Sequence, residues 1–227
     1  MIRRNCTFVT YICTLALFIE TVTGFLTPHP CQGEIPNESF SIPVSREEED
    51  LLNRGEIVIR EIKEQKSGVQ TFEAIGRIKA SGEKLSTILT DFENYPAFMP
   101  NVHEIEILSR SESDVIMNYV LELPLGQEKK YRLKISGPRQ KESSFLLHWS
   151  LVPWPELKPE ETIKDTTGYW LVQNDAEEQC LVLYHVSTDP GDIPFGLGWI
   201  VDILTKQSVP GAISALRNQT AKISLEN

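Results

Sequence analysis

Hydrophobic positions along the chain follow three regimes. Near the start, Phe8–Ile19 ("FVTYICTLALFI") is a short unbroken apolar run. From about residue 56 to residue 189, apolar and polar residues alternate in bursts separated by polar turns. From Phe195 to Ile223 the apolar residues recur at helical spacing. A period of two marks a strand with one buried face, and a period of 3.6 marks an amphipathic helix.

The first predicted element after the leader is a short helix. Ser45 and Glu48 are spaced as a capping box, the acids of "REEED" lie at the positive helix end, and Gly55 is a stop. In Glu56–Lys63, Ile57, Ile59 and Glu61 alternate with Val58, Arg60 and Ile62. A Ser-Gly turn then leads to "VQTFEAIGRIKA", and the two strands read as a hairpin. "SGEKLSTILTDF" is a helix with Leu85, Ile88, Leu89 and Phe92 on one side, and Pro96 and Pro100 forbid its continuation.

Strands follow over Val102–Ser109, Val115–Leu123 and Lys129–Ser136. In the last of these, Tyr131, Leu133 and Ile135 should face inward and Lys130, Arg132 and Lys134 outward. The next strand carries Phe145, Leu147, Trp149 and Leu151 on one side, and "ETIKDTTGYWLVQ" and "QCLVLYHVSTD" complete the set. Leu197, Ile200, Val201, Leu204, Ala212, Ile213, Leu216 and Ile223 then build one long amphipathic helix, with a bend expected near Pro210-Gly211. A helix, six or more strands and a terminal helix predict an α+β fold. A curved antiparallel sheet with one face inward, wrapped around the C-terminal helix, buries both apolar surfaces at once.

Composition adds the domain division. The chain has 227 residues, 41% hydrophobic and 24% charged, an ordinary globular balance with one domain and a tail. "MIRR", the apolar run, and Val22 and Gly24 at the −3 and −1 positions have the layout of a signal peptide over residues 1–24. The apolar run falls short of the roughly 20 residues that a spanning helix needs. An exported protein, periplasmic or secreted, is therefore expected, with an uncleaved N-terminal anchor as the alternative. Residues 25–54 form an extended, mobile arm and the short helix, and 55–227 the main domain. Cys31 and Cys180 lie beyond the leader, and an exported compartment permits a disulfide between them. Asn37 and Asn218 match glycosylation sequons.

The net charge is −10, and losing the leader removes two arginines and one glutamate, leaving the chain more acidic. That argues against nucleic acid, whose binding rests on cations meeting phosphates. It also argues against simple electrostatic docking on anionic lipid.

Candidate chemistry is sparse. His29, His103, His148 and His185 have no second ligand at a metal-binding interval, so no metal site is expected. The chain has no G-x-S-x-G elbow, and "GDIPFGLG" (Gly191–Gly198) reads as a hinge into the last helix. What stands out is aromatic. Tyr119, Tyr131, Trp149, Trp170, Tyr184 and Trp199 are spread over the strands and the last helix. Taken singly each is core packing; together they favour a deep apolar interior with a few polar handles. The turn in "LTDFENYPAFMPNVHEIEIL" adds Phe92, Tyr95, Phe98 and Met99 among two prolines, where a surface loop would ordinarily be polar.

Three stretches carry a family resemblance. "LSTILTDFENYPAFMPNVHEIEIL" resembles the entry helix and loop of the START-like (SRPBCC) superfamily. "IKDTTGYWLVQ", with Gly168 and Trp170, resembles its late strand. "DPGDIPFGLGWIVDILTKQSVPGAISALR" resembles its ending, through Pro190-Gly191, Ile193-Pro194, Trp199, Ser208-Val209-Pro210 and Leu216-Arg217. The resemblance covers about residues 56–222 and runs toward the bacterial polyketide-cyclase and coenzyme-Q-binding START-like proteins. It implies a helix-grip fold with a lipid-sized cavity between sheet and helix. "LPLGQEKKYRL" lacks the Arg-Asp pair that many lipid-transfer members carry there.

The implied function is non-catalytic binding or transfer of a hydrophobic small molecule or lipid, such as a quinone. No cofactor is implied; transient membrane contact and a monomeric state are expected. The alternative is a cyclase- or aromatase-type enzyme using the same cavity. Expected ligand-binding residues are Phe92, Tyr95, Phe98 and Met99 on the loop, and Met117, Tyr119, Tyr131 and Leu133 on the middle strands. Trp149, Trp170 and Tyr184 on the late strands and Trp199 and Ile203 on the terminal helix complete the set. The leader also yields a direct test. N-terminal sequencing of the protein from a native extract should find a chain beginning near Phe25, and a soluble chain beginning at Met1 would exclude cleavage.

Overall fold

The computed structural model describes residues 40–63, 68–141, 143–176, 178–191 and 207–226. The leader, the arm up to residue 39 with Cys31, most of the expected hinge, and the start of the expected terminal helix with Trp199 and Ile203 lie outside the described residues.

Helix α1 (Arg46–Asn53) begins as its capping box requires. Ser45 Oγ accepts from Glu48 N at 3.2 Å and Glu48 Oε2 accepts from Ser45 N at 2.7 Å. Gly55, at φ 81°, takes the left-handed conformation that ends the segment. The strands are β1 (Val58–Ile62), β2 (Gln70–Ile78), β3 (Val102–Arg110), β4 (Asp114–Leu123), β5 (Gln127–Lys141), β6 (Ser144–Val152), β7 (Asp165–Ala176) and β8 (Gln179–Asp189). They form one antiparallel sheet of eight strands in the order β1-β2-β8-β7-β6-β5-β4-β3. Helix α2 (Gly82–Thr90), capped by Ser81, and a 3-10 turn (Phe92–Ala97) lead from β2 to β3.

The terminal helix, α3, is described over Ser208–Glu226 and runs through Pro210-Gly211 without interruption. It packs on the inner face of the sheet with Ile213 and Leu216 fully buried. Its approach to β2 depends on Gly76, where a Cβ would lie 2.6 Å from Ile213 Cγ2. Arg217 fixes the contact by donating from Nε to Arg77 O and from Nη1 to Gly55 O, each at 3.0 Å. This is the helix-grip arrangement.

Leu133 and Ile135 are buried as expected, and Tyr131 is half-buried. Lys130, Arg132 and Lys134, expected in solvent, are half-buried as well. Arg132 donates to Asn118 Oδ1 at 2.9 Å and lies 4.9 Å over the Trp154 ring, and Lys134 pairs with Asp114 at 3.3 Å. Long cationic side chains lie along the sheet and keep only their heads near water.

The outer face corrects two expectations. It was expected to face solvent, yet Ile75, Leu146, Tyr169, Leu171, Leu181 and Leu183 form a second buried cluster there. The arm was expected to be mobile, and its described end is packed: Phe40, Ile42 and Val44 lie on that cluster beside Leu51 and Leu52 of α1. Ile42 N donates to Gln173 Oε1 at 3.0 Å, and Ser144 Oγ donates to Phe40 O at 3.2 Å. The physical cause is the near-continuous apolar run of "GYWLV" and "CLVLY", which only a strand covered on both faces can bury.

A charged chain closes this layer. Arg60 on edge strand β1 meets both carboxylate oxygens of Glu48 at 2.7 and 2.8 Å, Glu73 at 3.1 Å, and Pro43 O at 2.7 Å. Glu73 in turn bonds His185 Nδ1 at 3.1 Å, and Tyr169 stacks on the His185 ring at 4.7 Å. Burial alone would raise the Glu73 pKa, but the His185 and Arg60 bonds outweigh it and hold it down. The hydrogen bond from Arg60 takes Glu48 down to about 2. With its folded pKa depressed, the stabilisation from Glu48 is complete above its ordinary range and is lost as pH falls toward 2.

Arg60→Leu should therefore lower stability by about 2–3 kcal/mol, because it removes the cation shared by Glu48 and the buried Glu73 and leaves Glu73 with His185 alone. Arg54→Leu, which breaks an exposed pair with Glu56, should change it by less than about 1 kcal/mol. Urea midpoints of the two variants, measured near pH 7, check the contrast.

Candidate functional site

Strands β4 to β8 of the curved sheet all present side chains to one space, and α3, packed on β2 and β8, lies beside it. Enclosed here is a cavity of about 170 Å³. It lies beside Val209 and Ala212 at the start of the described helix, next to the point where Ile213 closes on Gly76.

One wall is the aromatic turn that the sequence singled out. Phe92, Tyr95 and Met99 line the cavity, and Tyr95 donates its hydroxyl to Leu89 O at 2.6 Å, which pins the turn to the end of α2. Phe98 does not reach the cavity. It packs behind Tyr95, edge-on at 5.5 Å. The turn is tied to α3 as well: Asn101, in the left-handed region at φ 61°, donates from Nδ2 to Ser208 Oγ at 2.7 Å.

The sheet supplies the other walls. Tyr119 and Tyr131 face each other across β4 and β5 and stack at 5.5 Å with planes 4° apart. Leu133 follows on the same face of β5. Trp149 on β6 lies over Gly168 of β7, where any side chain would run into the indole. Its ring is 5.6 Å from Tyr184, which in turn lies 4.4 Å from Trp170. Phe92, Tyr95, Met99, Tyr119, Tyr131, Leu133, Trp149, Trp170 and Tyr184 thus line one cavity.

Met117, expected at that wall, is instead fully buried in the core opposite Leu133 and does not line the cavity. Trp199 and Ile203 lie outside the described residues.

Sequence reasoning missed a polar row. Gln70, Thr188 and Thr166 sit side by side on β2, β8 and β7, and all three line the cavity. Thr166 Oγ1 and Thr188 Oγ1 are 3.0 Å apart, and Thr166 also bonds Ser187 O at 3.1 Å. The signal was the alternation itself: Tyr184, Val186 and Thr188 share one face of β8, and Trp170, Gly168 and Thr166 one face of β7. Ala212 and Val209 on α3 also line the cavity.

Among the described lining residues, tyrosine is the only titratable type. Burial pushes the hydroxyls of Tyr119, Tyr131 and Tyr184 up, so they stay protonated as donors. They lie close enough to influence one another electrostatically. The buried pair Glu73–His185 sits on the opposite face of the sheet, away from the cavity. Cys180 is a free, buried thiol that donates to Ala80 O at 3.2 Å, and burial takes its pKa up to about 11. Among the described residues no group of His, Cys, Asp or Glu is arranged to hold a metal, and no helix is long and apolar enough to cross a membrane.

The profile of the family described as polyketide cyclase/dehydrase and lipid transport matches residues 78–196. No curated protein matches the sequence. Among solved structures, a STAR-related lipid transfer protein from Xanthomonas axonopodis is 20% identical, with a TM-score of 0.63 over 73% of this chain and 93% of that one. Human StAR-related lipid transfer protein 5 is 12% identical, with a TM-score of 0.59 over 78% of this chain and 94% of that one. The Zhui aromatase/cyclase from Streptomyces sp. R1128 is 11% identical, with a TM-score of 0.56 over 68% and 94%. At these identities the likeness shows the fold.

Cavity and core can be told apart by filling each. Ala212→Phe extends into the cavity and should weaken binding of an apolar probe at least tenfold while shifting stability by less than about 1 kcal/mol. Met117→Trp has no such space and should destabilise by about 1–3 kcal/mol. Probe titration and urea midpoints on both variants give the comparison.

Proposed function

The chain belongs to the polyketide cyclase/dehydrase and lipid transport family, and from that premise we propose that it binds or transfers a hydrophobic ligand in this cavity without catalysing a reaction on it. The observation that carries the reading is the character of the walls. They are apolar and aromatic, with a few fixed polar groups and no ionised side chain among the described lining residues. That is the make-up of a site that recognises an apolar body and orients it at a few points. The leader adds a location: the protein works outside the cytoplasm, collecting or delivering its ligand there with transient membrane contact.

The competing reading is a cyclase-type enzyme, and the convergence of Tyr119, Tyr131 and Tyr184 favours it, since hydroxyl donors can polarise a carbonyl. Ring closure by carbon–carbon bond formation also needs a proton removed, and an effective base has a pKa near the working pH. Burial drives these phenols away from that range. The binding reading is therefore preferred.

Native mass spectrometry of the protein purified from its source, followed by extraction of the occupant, tests the proposal. A non-covalently bound apolar molecule should be found and recovered chemically unchanged after incubation. Conversion of the extracted molecule by added protein would establish the enzyme instead.

A further inference from the structure

We propose that Tyr119, Tyr131 and Tyr184 set the ligand class: a neutral molecule with a flat apolar body and carbonyl or ether oxygens, held in preference to a free carboxylate or a plain hydrocarbon. The inference rests on the binding reading above and deepens it.

The first observation concerns pairing. Tyr95, in the same wall, has its hydroxyl taken by Leu89 O. The hydroxyls of Tyr119, Tyr131 and Tyr184 make no hydrogen bond among the described residues. They are not sealed off either. Among the described residues the buried side-chain nitrogens and oxygens without a partner are His148 Nδ1 and Arg217 Nη2. The three hydroxyls are absent from that set, and all three residues line the cavity. A hydroxyl among apolar walls is left unsatisfied when an occupant displaces water and offers no acceptor, which is unfavourable. An occupant that accepts from these hydroxyls relieves this, whereas a hydrocarbon leaves it in place.

The second observation concerns shape. The Tyr119 and Tyr131 rings are nearly coplanar in direction, 4° apart, and the Trp149 and Tyr184 rings are stacked at 26°. Both pairs line the cavity, so flat aromatic surfaces make up much of its wall. Flat bodies make offset or edge contacts with such surfaces that a flexible chain does not.

The third observation concerns charge. Among the described lining residues there is no lysine, arginine or histidine. Among the described residues a carboxylate entering here would meet no cation to replace its hydration, a larger penalty than three neutral donors offset. Carbonyl and ether oxygens accept hydrogen bonds without bringing a charge.

Three probes on one ring system separate these effects: 2-acetylnaphthalene (neutral ketone), 2-methylnaphthalene (hydrocarbon) and 2-naphthoate (carboxylate). Fluorescence titration of the full-length protein should rank the ketone tightest, about fivefold or more ahead of the hydrocarbon, the advantage expected from one net hydrogen bond. The carboxylate should bind at least tenfold more weakly than the ketone. The triple Tyr→Phe variant should bring the ketone to the hydrocarbon's affinity and leave the hydrocarbon within twofold of wild type. Each single variant, Tyr119→Phe, Tyr131→Phe and Tyr184→Phe, is also measured, so the test stands even where the triple variant does not fold. Tyr169→Phe, on the outer face, should leave the ranking unchanged. Equal binding of ketone and hydrocarbon, or a carboxylate that binds as tightly as the ketone, overturns the assignment of ligand class but leaves hydrocarbon binding in the cavity intact. Binding of none of the three removes this inference and the binding reading together.

Discussion

Gly76 lets helix α3 touch β2, and most of the architecture follows from how that contact changes along the helix. At Ile213 and Leu216 the helix lies against the sheet, with Arg217 fastening it to the backbone of Arg77 and Gly55. One turn earlier, Val209 and Ala212, also buried, line the cavity. The helix and the curled sheet therefore touch at Gly76 and leave the cavity between them beside Val209 and Ala212. The aromatic turn Phe92–Ala97 lines the same space and is held to α2 through Tyr95, while Asn101 just beyond it bonds Ser208 of α3. A side chain at position 76 would push the helix outward and change the cavity before it changed anything else.

Much of this was legible in the sequence because the inner face obeys one rule. Alternation placed Tyr119, Tyr131, Leu133, Trp149, Trp170 and Tyr184 on the side that the structure encloses. Met117 obeys the same alternation and yet does not line the cavity, because parity chooses a face and says nothing of depth along it. Thr166, Thr188 and Gln70 obey it too, and were overlooked because they are polar. The outer face was misread for a different reason. Runs such as "CLVLY" have no period to detect, and the cover for their second face comes from Phe40–Val44, far away in sequence and poor in pattern of its own.

That cover is more than packing. Glu48 serves two masters: it closes the capping box of α1 and it clasps Arg60. Arg60 passes the connection to Glu73, and Glu73 to His185, so one chain of hydrogen-bonded side chains crosses the sheet from the edge strand to β8. An edge strand carrying Ile59 and Ile62 at 50% and 37% exposure is a natural place for another chain to pair. Tying the arm, α1 and β1 together holds that edge in one conformation.

The two faces of the sheet are energetically complementary. A cavity of about 170 Å³ forgoes about 4 kcal/mol of packing at about 24 cal/mol per Å³. The outer cluster supplies compensation of the same size, because fully burying a large apolar side chain is worth about 1.5–3 kcal/mol, and Ile42 and Leu52 are both buried there. Three of the strands that wall the cavity, β6, β7 and β8, are covered behind by this second core. A wall braced from behind can stay curved over empty space, where a sheet with one packed face would relax onto the helix and close the gap. The end of the arm, expected from the sequence to be mobile, thus braces part of the cavity wall from behind.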